Sequence, residues 1–201
     1  MLGAMPDDYP VHLLAREPAP PFVGEGPFAL WHFSEDPSLG RFEPHVPASN
    51  PEASPLVWAI DTRHSPMFWF PRHCPRGCIW PVSTTTAEDW SRFFGQTGAA
   101  RIHVVEGSWL ERMVSCALFA YRLPTGSFRA HEVGGFWVSE DPMDAEERVA
   151  VDDLLGRHAR AGIELRVTPS LWPFWHRVVE STVAFSGHRL SNAGPDDERR
   201  G

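Results

Sequence analysis

Short apolar runs that end at proline, glycine or acidic residues are the feature that most limits how this chain can fold. The sequence holds 20 Pro among 201 residues, about twice the average frequency, which predicts many loops. Between the loops, the runs have the length and the β-branched or aromatic content of strands. We predict strands at Phe28–Phe33, Leu56–Ile60, Cys78–Trp80, Arg101–Val105, Cys116–Arg122, Gly135–Ser139, Arg148–Val151 and Ile163–Val167.

Two helices are indicated in the middle of the chain. In "TAED", Thr86 is placed to be the N-cap of a helix whose aromatic residues recur three and four positions apart on one face. In "SWLERM", Ser108 and Glu111 have the spacing of a capping box, which marks the start of a second helix.

Two further helices are predicted nearer the carboxyl end. The segment "VDDLLGRHARAG" (151–162) has start signals at Asp152 or Asp153 and a stop signal at Gly162. The last helix runs from Ser170 to about Ala184, with a proline in its first turn, where a missing N–H does no harm. Its apolar stripe, which we expect to pack on the sheet, consists of Trp172, Trp175, Val179 and Val183.

Eight short strands and about four helices, without strict strand–helix alternation, predict an α+β fold with a mixed, mostly antiparallel, split-barrel-like sheet. Residues 1–26 are rich in proline and acid and predict a loose N-terminal arm. Residues 27–192 are long enough for one buried core and predict a single globular domain. Residues 193–201 predict a polar tail.

The charge balance excludes some partners. Eighteen basic and 26 acidic residues give a net charge of −8, so nucleic acid and anionic membranes gain no bulk attraction.

No apolar run approaches the ~18 residues that span a bilayer, and the N-terminus lacks the basic end of a signal peptide. Three cysteines do not indicate a disulfide framework. We therefore expect a cytoplasmic protein and leave its oligomeric state open.

His32 interrupts the first strand, within "FALWHFSEDP" (28–37). The alternation of a strand puts Ala29, Trp31 and Phe33 on one face, which we expect to be the core. His32 and Ser34 then share the other face at the carboxyl end of the strand. Two alternatives stay open: these two residues line a ligand-binding cleft, or His32 is a buried histidine whose hydrogen bond is satisfied.

The segment "VWAIDTRHSPMFWFPRHCPRGCIW" (57–80) is the densest candidate stretch. Its strand ends at Asp61, His64 lies just beyond, and a loop rich in aromatic residues and proline presents Arg72 and Arg76. Arginine offers a planar fork of donors that suits phosphate or carboxylate, so the stretch suits a nucleotide or another anion. The structural alternative is that Asp61 caps a turn, Arg72 pairs with an acid, and the aromatic residues form a satellite core.

A metal site is a weaker interpretation of "HCPRGC" (73–78). His73, Cys74 and Cys78, with His64 as a fourth ligand, would favour zinc. The Cys-x3-Cys spacing stands alone, however, and Cys78 begins an apolar run, which indicates a buried thiol. We predict no metal.

Glu132 is the candidate acid of the chain. It lies just before Gly134 and Gly135, which permit a bulge or a close backbone approach ahead of the next strand. From there it could reach a cleft, and the alternative is a solvated loop acid.

Four segments together carry a family resemblance: "LWHFSEDPSLGRFEPHVP", "VWAIDTRHSPMFWFPRHCPR", "GGFWVSEDP" and "STVAFSGHRLSNA". Over most of residues 28–193, the chain resembles a family of uncharacterised bacterial proteins, many of them actinobacterial, known as a domain of unknown function. This resemblance implies no assigned activity.

A more distant resemblance is to the ADP-ribosyltransferase-like fold. Its members often open with an aromatic–His–polar strand, as "WHFS" (31–34) does here, and carry a later strand similar to "GGFWVSEDPMDAEERVAV". The resemblance implies that His32 contacts the ribose of NAD and that Trp58 or Trp69 is available to stack. The matching position for the catalytic acid falls at Gly134–Phe136, and the nearest acid, Glu132, lies two or three residues early.

Two classes of function follow from these readings. In the first, a cleft at the strand ends binds an NAD-like nucleotide, and an enzyme of this kind would be an ADP-ribosyltransferase-like transferase. In the second, the protein binds a small molecule without catalysis or meets a partner protein through exposed tryptophan and proline. The predicted site consists of Glu132 as catalytic acid and of His32, Ser34, Trp58, Asp61, His64, Arg72 and Arg76 as ligand-binding residues.

Overall fold

The computed structural model describes residues 29–46, 51–131 and 135–196. Within these ranges it has twelve strands and four α-helices, in mostly antiparallel sheets of which none closes into a barrel. The α+β prediction is confirmed. The described chain forms two compact units, which we call the six-stranded unit (residues 29–69 and 117–152) and the four-stranded unit (residues 70–116 and 153–196). The predicted arm lies outside the described residues, and a single domain over 27–192 stays a prediction.

The six-stranded unit is built on an antiparallel sheet with the strand order β10-β6-β1-β3-β8-β7. A separate two-stranded sheet pairs β2 with β9. The bounds are β1 (Leu30–Ser34), β2 (Arg41–Phe42), β3 (Val57–Asp61), β6 (Leu118–Leu123), β7 (Arg129–Ala130), β8 (Phe136–Ser139), β9 (Met143–Asp144) and β10 (Glu147–Val151). The buried core consists of Leu30, Phe42, Val57, Ala59, Tyr121, Leu123, Phe128 and Met143.

The four-stranded unit has the strand order β11-β5-β4-β12, in which β11 and β5 are parallel and the other pairs antiparallel. Its strands are β4 (Arg76–Trp80), β5 (Arg101–Glu106), β11 (Ile163–Thr168) and β12 (Ala184–His188). Its helices are α1 (Ala87–Phe94), α2 (Leu110–Ser115), α3 (Leu154–Arg160) and α4 (Trp172–Val179). One core covers a face of this sheet and consists of Ile79, Phe93, Phe94, Ile102, Val104, Leu171, Val178 and Val183.

All eight predicted strands are confirmed, and four strands were missed. Three of the missed strands, β2, β7 and β9, have only two residues each, too few for a periodic signal. The fourth, β12, follows a helix that is shorter than predicted. Among the described helices, none is long and apolar enough to cross a membrane.

The two faces of β1 are the reverse of those predicted. Leu30 is fully buried in the core and Ser34 is also buried, whereas Trp31 and Phe33 are half-buried on the other face. The ring of His32 packs against the core residue Phe42, with 4.9 Å between ring centroids. Since β1 lies between two neighbouring strands of the sheet and both of its faces are largely covered, alternation alone did not distinguish them.

Two helix starts were predicted correctly. The hydroxyl of Thr86 accepts the backbone N–H of Asp89, which confirms Thr86 as the N-cap of α1. The side chain of Asp153 accepts the N–H of Gly156 at the start of α3. Beyond the end of α3, Gly162 has a positive φ of 65°, a conformation that favours glycine.

The capping box at Ser108 was wrong. A 3-10 turn at Gly107–Trp109 precedes α2, and neither element has a side-chain capping bond at its start. Ser108 therefore lies inside the turn instead of ahead of the helix.

The apolar stripe of the last helix was partly wrong. Pro173 lies in the first turn as predicted, but α4 ends at Val179 instead of near Ala184. Val179 is 48% exposed, and the buried positions are Leu171 and Val178. The aromatic residues around α4 broaden its apolar face. The spacing of apolar residues therefore did not distinguish the buried Val178 from the exposed Val179.

Asp89 joins α1 to the segment before β12, and its loss should destabilise the four-stranded unit. Its carboxylate accepts the backbone N–H of Thr182 at 2.7 Å and the Thr182 hydroxyl at 2.6 Å. Burial opposes ionisation, but the hydrogen bonds from Thr182 and Thr86 outweigh it and lower the pKa of Asp89. Asp89→Asn should lower the free energy of unfolding by about 1–2 kcal/mol at pH 7.

A pH series of urea unfolding curves checks this prediction. A carboxylate with a lowered pKa stabilises the fold above its unfolded-state pKa, near ~4, and loses that contribution as the pH falls through the folded value. The difference between Asp89→Asn and the wild type should therefore shrink below about pH 4. Glu88→Gln, at the exposed neighbouring position, is the control and should change stability by less than about 0.5 kcal/mol. A difference that stays constant down to pH 2 would contradict the assignment.

Candidate functional site

An aromatic cluster surrounds Trp58 on the face of the six-stranded sheet opposite the core. Alternation in β3 directs Val57 and Ala59 into the core and Trp58 to the other face. The Trp58 ring lies 4.9 Å from the ring of His131 and 6.0 Å from that of Phe136, between centroids. Phe68 and Phe33 extend this group through Phe136. We call these five residues the Trp58 cluster: Phe33, Trp58, Phe68, His131 and Phe136.

The indole nitrogen of Trp58 is the unusual atom of the cluster. Its Nε1 is buried and has no hydrogen-bond partner among the described residues. On the same sheet face, by contrast, the indole of Trp31 donates to the hydroxyl of Thr62 at 2.9 Å. Trp58 therefore holds a desolvated donor whose acceptor is not supplied by the described residues.

Asp61 and His64 form a buried pair at the carboxyl end of β3. Nδ1 of His64 lies 2.8 and 2.9 Å from the two carboxylate oxygens of Asp61, and the backbone N–H of His64 donates to the same carboxylate. Asp61 is 2% exposed. Because a carboxylate only accepts, Nδ1 of His64 carries the proton, and the ring is fixed in one orientation.

Gly135 allows this pair to pack against the backbone. The His64 ring lies where a Cβ on Gly135 would be, with 2.3 Å to Cγ, and Gly135 has a φ of +83°. The N–H of Asp61 donates to the Gly135 carbonyl at 2.9 Å. The register opposes Asp61 to Gly135 and Ile60 to Phe136. By the alternation of β3, Asp61 lies on the face of Val57 and Ala59, opposite the face that carries Trp58.

His32 and Ser34 make internal contacts. Nδ1 of His32 lies 3.2 Å from the carbonyl oxygen of Trp58, and the hydroxyl of Ser34 accepts the N–H of Asp36 at 3.1 Å. By strand register, His32 lies on the core face of the sheet, and the Trp58 indole on the other. The structure thus gives His32 a hydrogen-bonded, partly buried position against the core, as in the second of its two predicted alternatives.

One protein family matches the chain over residues of both units. The family DUF6886, a family of unknown function, matches residues 31–193. The chain belongs to this family. The predicted membership in a domain family of unknown function is therefore confirmed, and the match to DUF6886 contains both the Trp58 cluster and the Asp61–His64 pair. No curated protein and no solved structure matches this DUF6886 chain.

The two predicted arginines belong to the four-stranded unit of the DUF6886 chain. Arg76 begins β4 and is 4% exposed, its guanidinium donates to the Cys74 carbonyl at 3.0 Å, and its Cζ lies 5.0 Å from the centre of the Phe70 ring. Burial lowers the pKa of Arg76 to about 10. Arg72, in the preceding loop, is exposed. Arg76 is therefore an internal group of its unit, and an anion-binding role for Arg72 stays a prediction.

The cysteines of the DUF6886 chain are buried and reduced. Burial raises the pKa of Cys74 and of Cys78 to about 12, so both are neutral thiols in the folded unit. Across residues 29–46, 51–131 and 135–196, no three His, Cys, Asp or Glu side chains are grouped to hold a metal ion.

Of the seven residues in the Trp58 cluster and the Asp61–His64 pair, three were predicted as site residues from the sequence and four were missed. Trp58, Asp61 and His64 were selected because they are close in sequence along β3 and its following turn. His131 reaches Trp58 only because β7 and β8 form a hairpin, in which the N–H of His131 donates to the Phe136 carbonyl. A two-residue strand such as β7 leaves no sequence signal for that contact. Glu132 lies outside the described residues, and its role stays a prediction.

Proposed function

We propose that the six-stranded unit binds an NAD-like nucleotide, with the planar base of the ligand against the Trp58 cluster. The supporting observation is the buried indole N–H of Trp58, which has no acceptor in the described part of the chain. Buried polar groups nearly always have a partner, so an exception marks a candidate functional contact. A carboxamide oxygen on the base would accept this hydrogen bond, and the neighbouring rings would pack against the base.

Binding at this position requires a rearrangement of His131. The ring centroids of His131 and Trp58 are 4.9 Å apart, so the His131 ring occupies the space directly beside the indole. His131 follows the last residue of β7 and is thus outside the paired strands, where side chains are more mobile than within a sheet. We therefore expect the ligand to replace His131 beside the indole.

The proposal has an enzymatic and a non-enzymatic form. An ADP-ribosyltransferase-like transferase would need an acid to stabilise the positive charge that develops on the ribose, and Glu132 is proposed for that role. A binding protein would need only the aromatic site. Release of nicotinamide from NAD by the wild type, and its loss in Glu132→Gln, would separate the first form from the second.

Titration of NAD, nicotinamide and ADP-ribose by calorimetry and tryptophan fluorescence tests the binding site. We expect NAD and nicotinamide to bind the wild type, and ADP-ribose, which lacks the base, to bind more weakly. Trp58→Phe removes the donor and should weaken nicotinamide binding at least tenfold, equivalent to about 1.4 kcal/mol.

Trp31→Phe is the matched control, because its indole donates within the chain to Thr62. This variant should bind nicotinamide as the wild type does. Absence of binding at millimolar NAD would overturn the proposal. Equal nicotinamide affinities for Trp58→Phe and the wild type would overturn the placement of the base at Trp58.

A further inference from the structure

The sheet face that carries His103 in the four-stranded unit is polar although it is buried. His103 is fully buried, and the register places it opposite Cys78 of β4. His158 of α3 lies over it, with 5.1 Å between ring centroids and an interplanar angle of 82°. Both imidazoles also contact the ring of Phe70. The two histidines therefore form one buried layer between the sheet and α3.

The hydrogen bonds of this pair fix where its protons lie. Nδ1 of His158 is 2.7 Å from the Leu154 carbonyl, which only accepts, so His158 carries its proton there. Nε2 of a neutral His158 carries no proton, so it accepts a hydrogen bond from the N–H at Nδ1 of His103, at 3.0 Å. Nε2 of His103 is left as an acceptor that is buried and has no partner among the described residues. An added proton at His103 can therefore enter only at a nitrogen without an acceptor beside it.

Positive groups from the surrounding elements oppose that proton. Burial, followed by the charges around it, holds the pKa of His103 well below its ordinary value. Burial lowers the pKa of His158 in the same way, and that of His188 strongly. The groups whose charges lower the pKa of His103 are His158 from α3, Arg101 from β5, Arg76 from β4 and His188 from β12, and Arg76 also lowers that of His158. Arg76 is itself affected by Cys78, Cys74 and Arg189.

We propose that the His103–His158 pair is an acid-sensitive switch that opens the four-stranded unit and uncovers its thiols. Cys74, Cys78 and Cys116 are all buried in this unit. In the folded unit, burial lowers the pKa of both imidazoles, whereas in an opened chain they bind protons near the ordinary histidine pKa of about 6.5. The contribution of the neutral imidazoles to the free energy of unfolding is therefore fully present above that pH and is lost as the pH falls below it.

The thiols themselves report the opening. The full-length protein would be labelled with 4,4′-dithiodipyridine from pH 7.5 to 4.5, and each rate divided by that of the urea-unfolded chain at the same pH. For each imidazole that stays neutral when folded, the open fraction should rise about tenfold per pH unit below 6.5. A ratio that stays flat between pH 7 and 5 would overturn the switch.

Two variants identify the responsible groups. His103→Gln and His158→Gln each remove one titrating imidazole. In each variant, the rise of the open fraction per pH unit should therefore be about ten times smaller than in the wild type. The control is His45→Gln, an exposed histidine of the six-stranded unit, which should keep the wild-type dependence. If either folded variant retains the full wild-type dependence, the pair is not the switch. If one variant does not fold at pH 7.5, the other variant and the wild-type series decide.

Discussion

Replacing Gly135 by alanine should lower the free energy of unfolding of the six-stranded unit by about 3 kcal/mol. A positive φ costs a non-glycine residue ~1–2 kcal/mol, and overpacking in a closed site costs ~1–3 kcal/mol. Both apply here, because Gly135 has a φ of +83° and its Cβ would lie 2.3 Å from Cγ of His64. The displaced ring would also leave the carboxylate of Asp61, which is 2% exposed, without its imidazole partner.

A double-mutant cycle in urea unfolding separates the two causes. In a His64→Ala background the ring is absent, so Gly135→Ala should cost only the backbone term, about 1–2 kcal/mol. Gly126→Ala is the control in the same unit, since no atom lies within 4 Å of its added Cβ. That variant should be neutral or slightly stabilising, by up to about 1 kcal/mol. An equal cost of Gly135→Ala in both backgrounds would show that the His64 ring does not confine this glycine.

The strands that sequence could predict are those whose residues carry the signal themselves. In Arg101–Glu106, for example, Ile102, Val104 and Val105 are β-branched and apolar, and this composition favours a strand. The short strand β7 has only Arg129 and Ala130, which are both exposed, and it exists because β8 lies beside it. Likewise, α4 ends at Val179, and Ala184, the predicted end of the helix, is instead the first residue of β12.

The candidate site divides in the same way. Asp61 and His64 lie three positions apart, and a carboxylate just before a turn is well placed to bond the backbone and the ring that follow. Their pairing could be predicted locally. The unpaired indole of Trp58 could not, because it depends on which groups the hairpin of His131 and Phe136 brings near it. The burial of Arg76, which is 4% exposed, could not be predicted either, because composition does not show which strand ends are covered.

Glu106→Ala should destabilise the four-stranded unit by about 3 kcal/mol, through the loss of one buried carboxylate. Glu106 is 4% exposed. Its Oε1 accepts the backbone N–H of Leu171 at 3.1 Å, and both oxygens accept that of Gly194, at 3.1 and 3.0 Å. Each buried N–H left without a partner costs ~1–3 kcal/mol. The carboxylate also lies at the start of α4, where negative charge is favourable by a further ~0.3–1 kcal/mol.

The shape of the side chain and its charge can be tested apart. Glu106→Gln keeps the volume and one acceptor oxygen, so it should cost about 1–2 kcal/mol, less than alanine. The segment after β12 should loosen first, since its Gly194 is held on one side by Glu106 and on the other by the Trp172 indole, which donates to the Gly194 carbonyl at 2.6 Å. Hydrogen exchange should therefore rise at Gly194 and in the first turn of α4 before it rises in β5. Glu111→Gln, on the exposed side of α2, should change neither stability nor exchange. If Glu106→Ala unfolds at the wild-type urea concentration, the carboxylate does not anchor these two segments, and their attachment must come from the apolar contacts of α4.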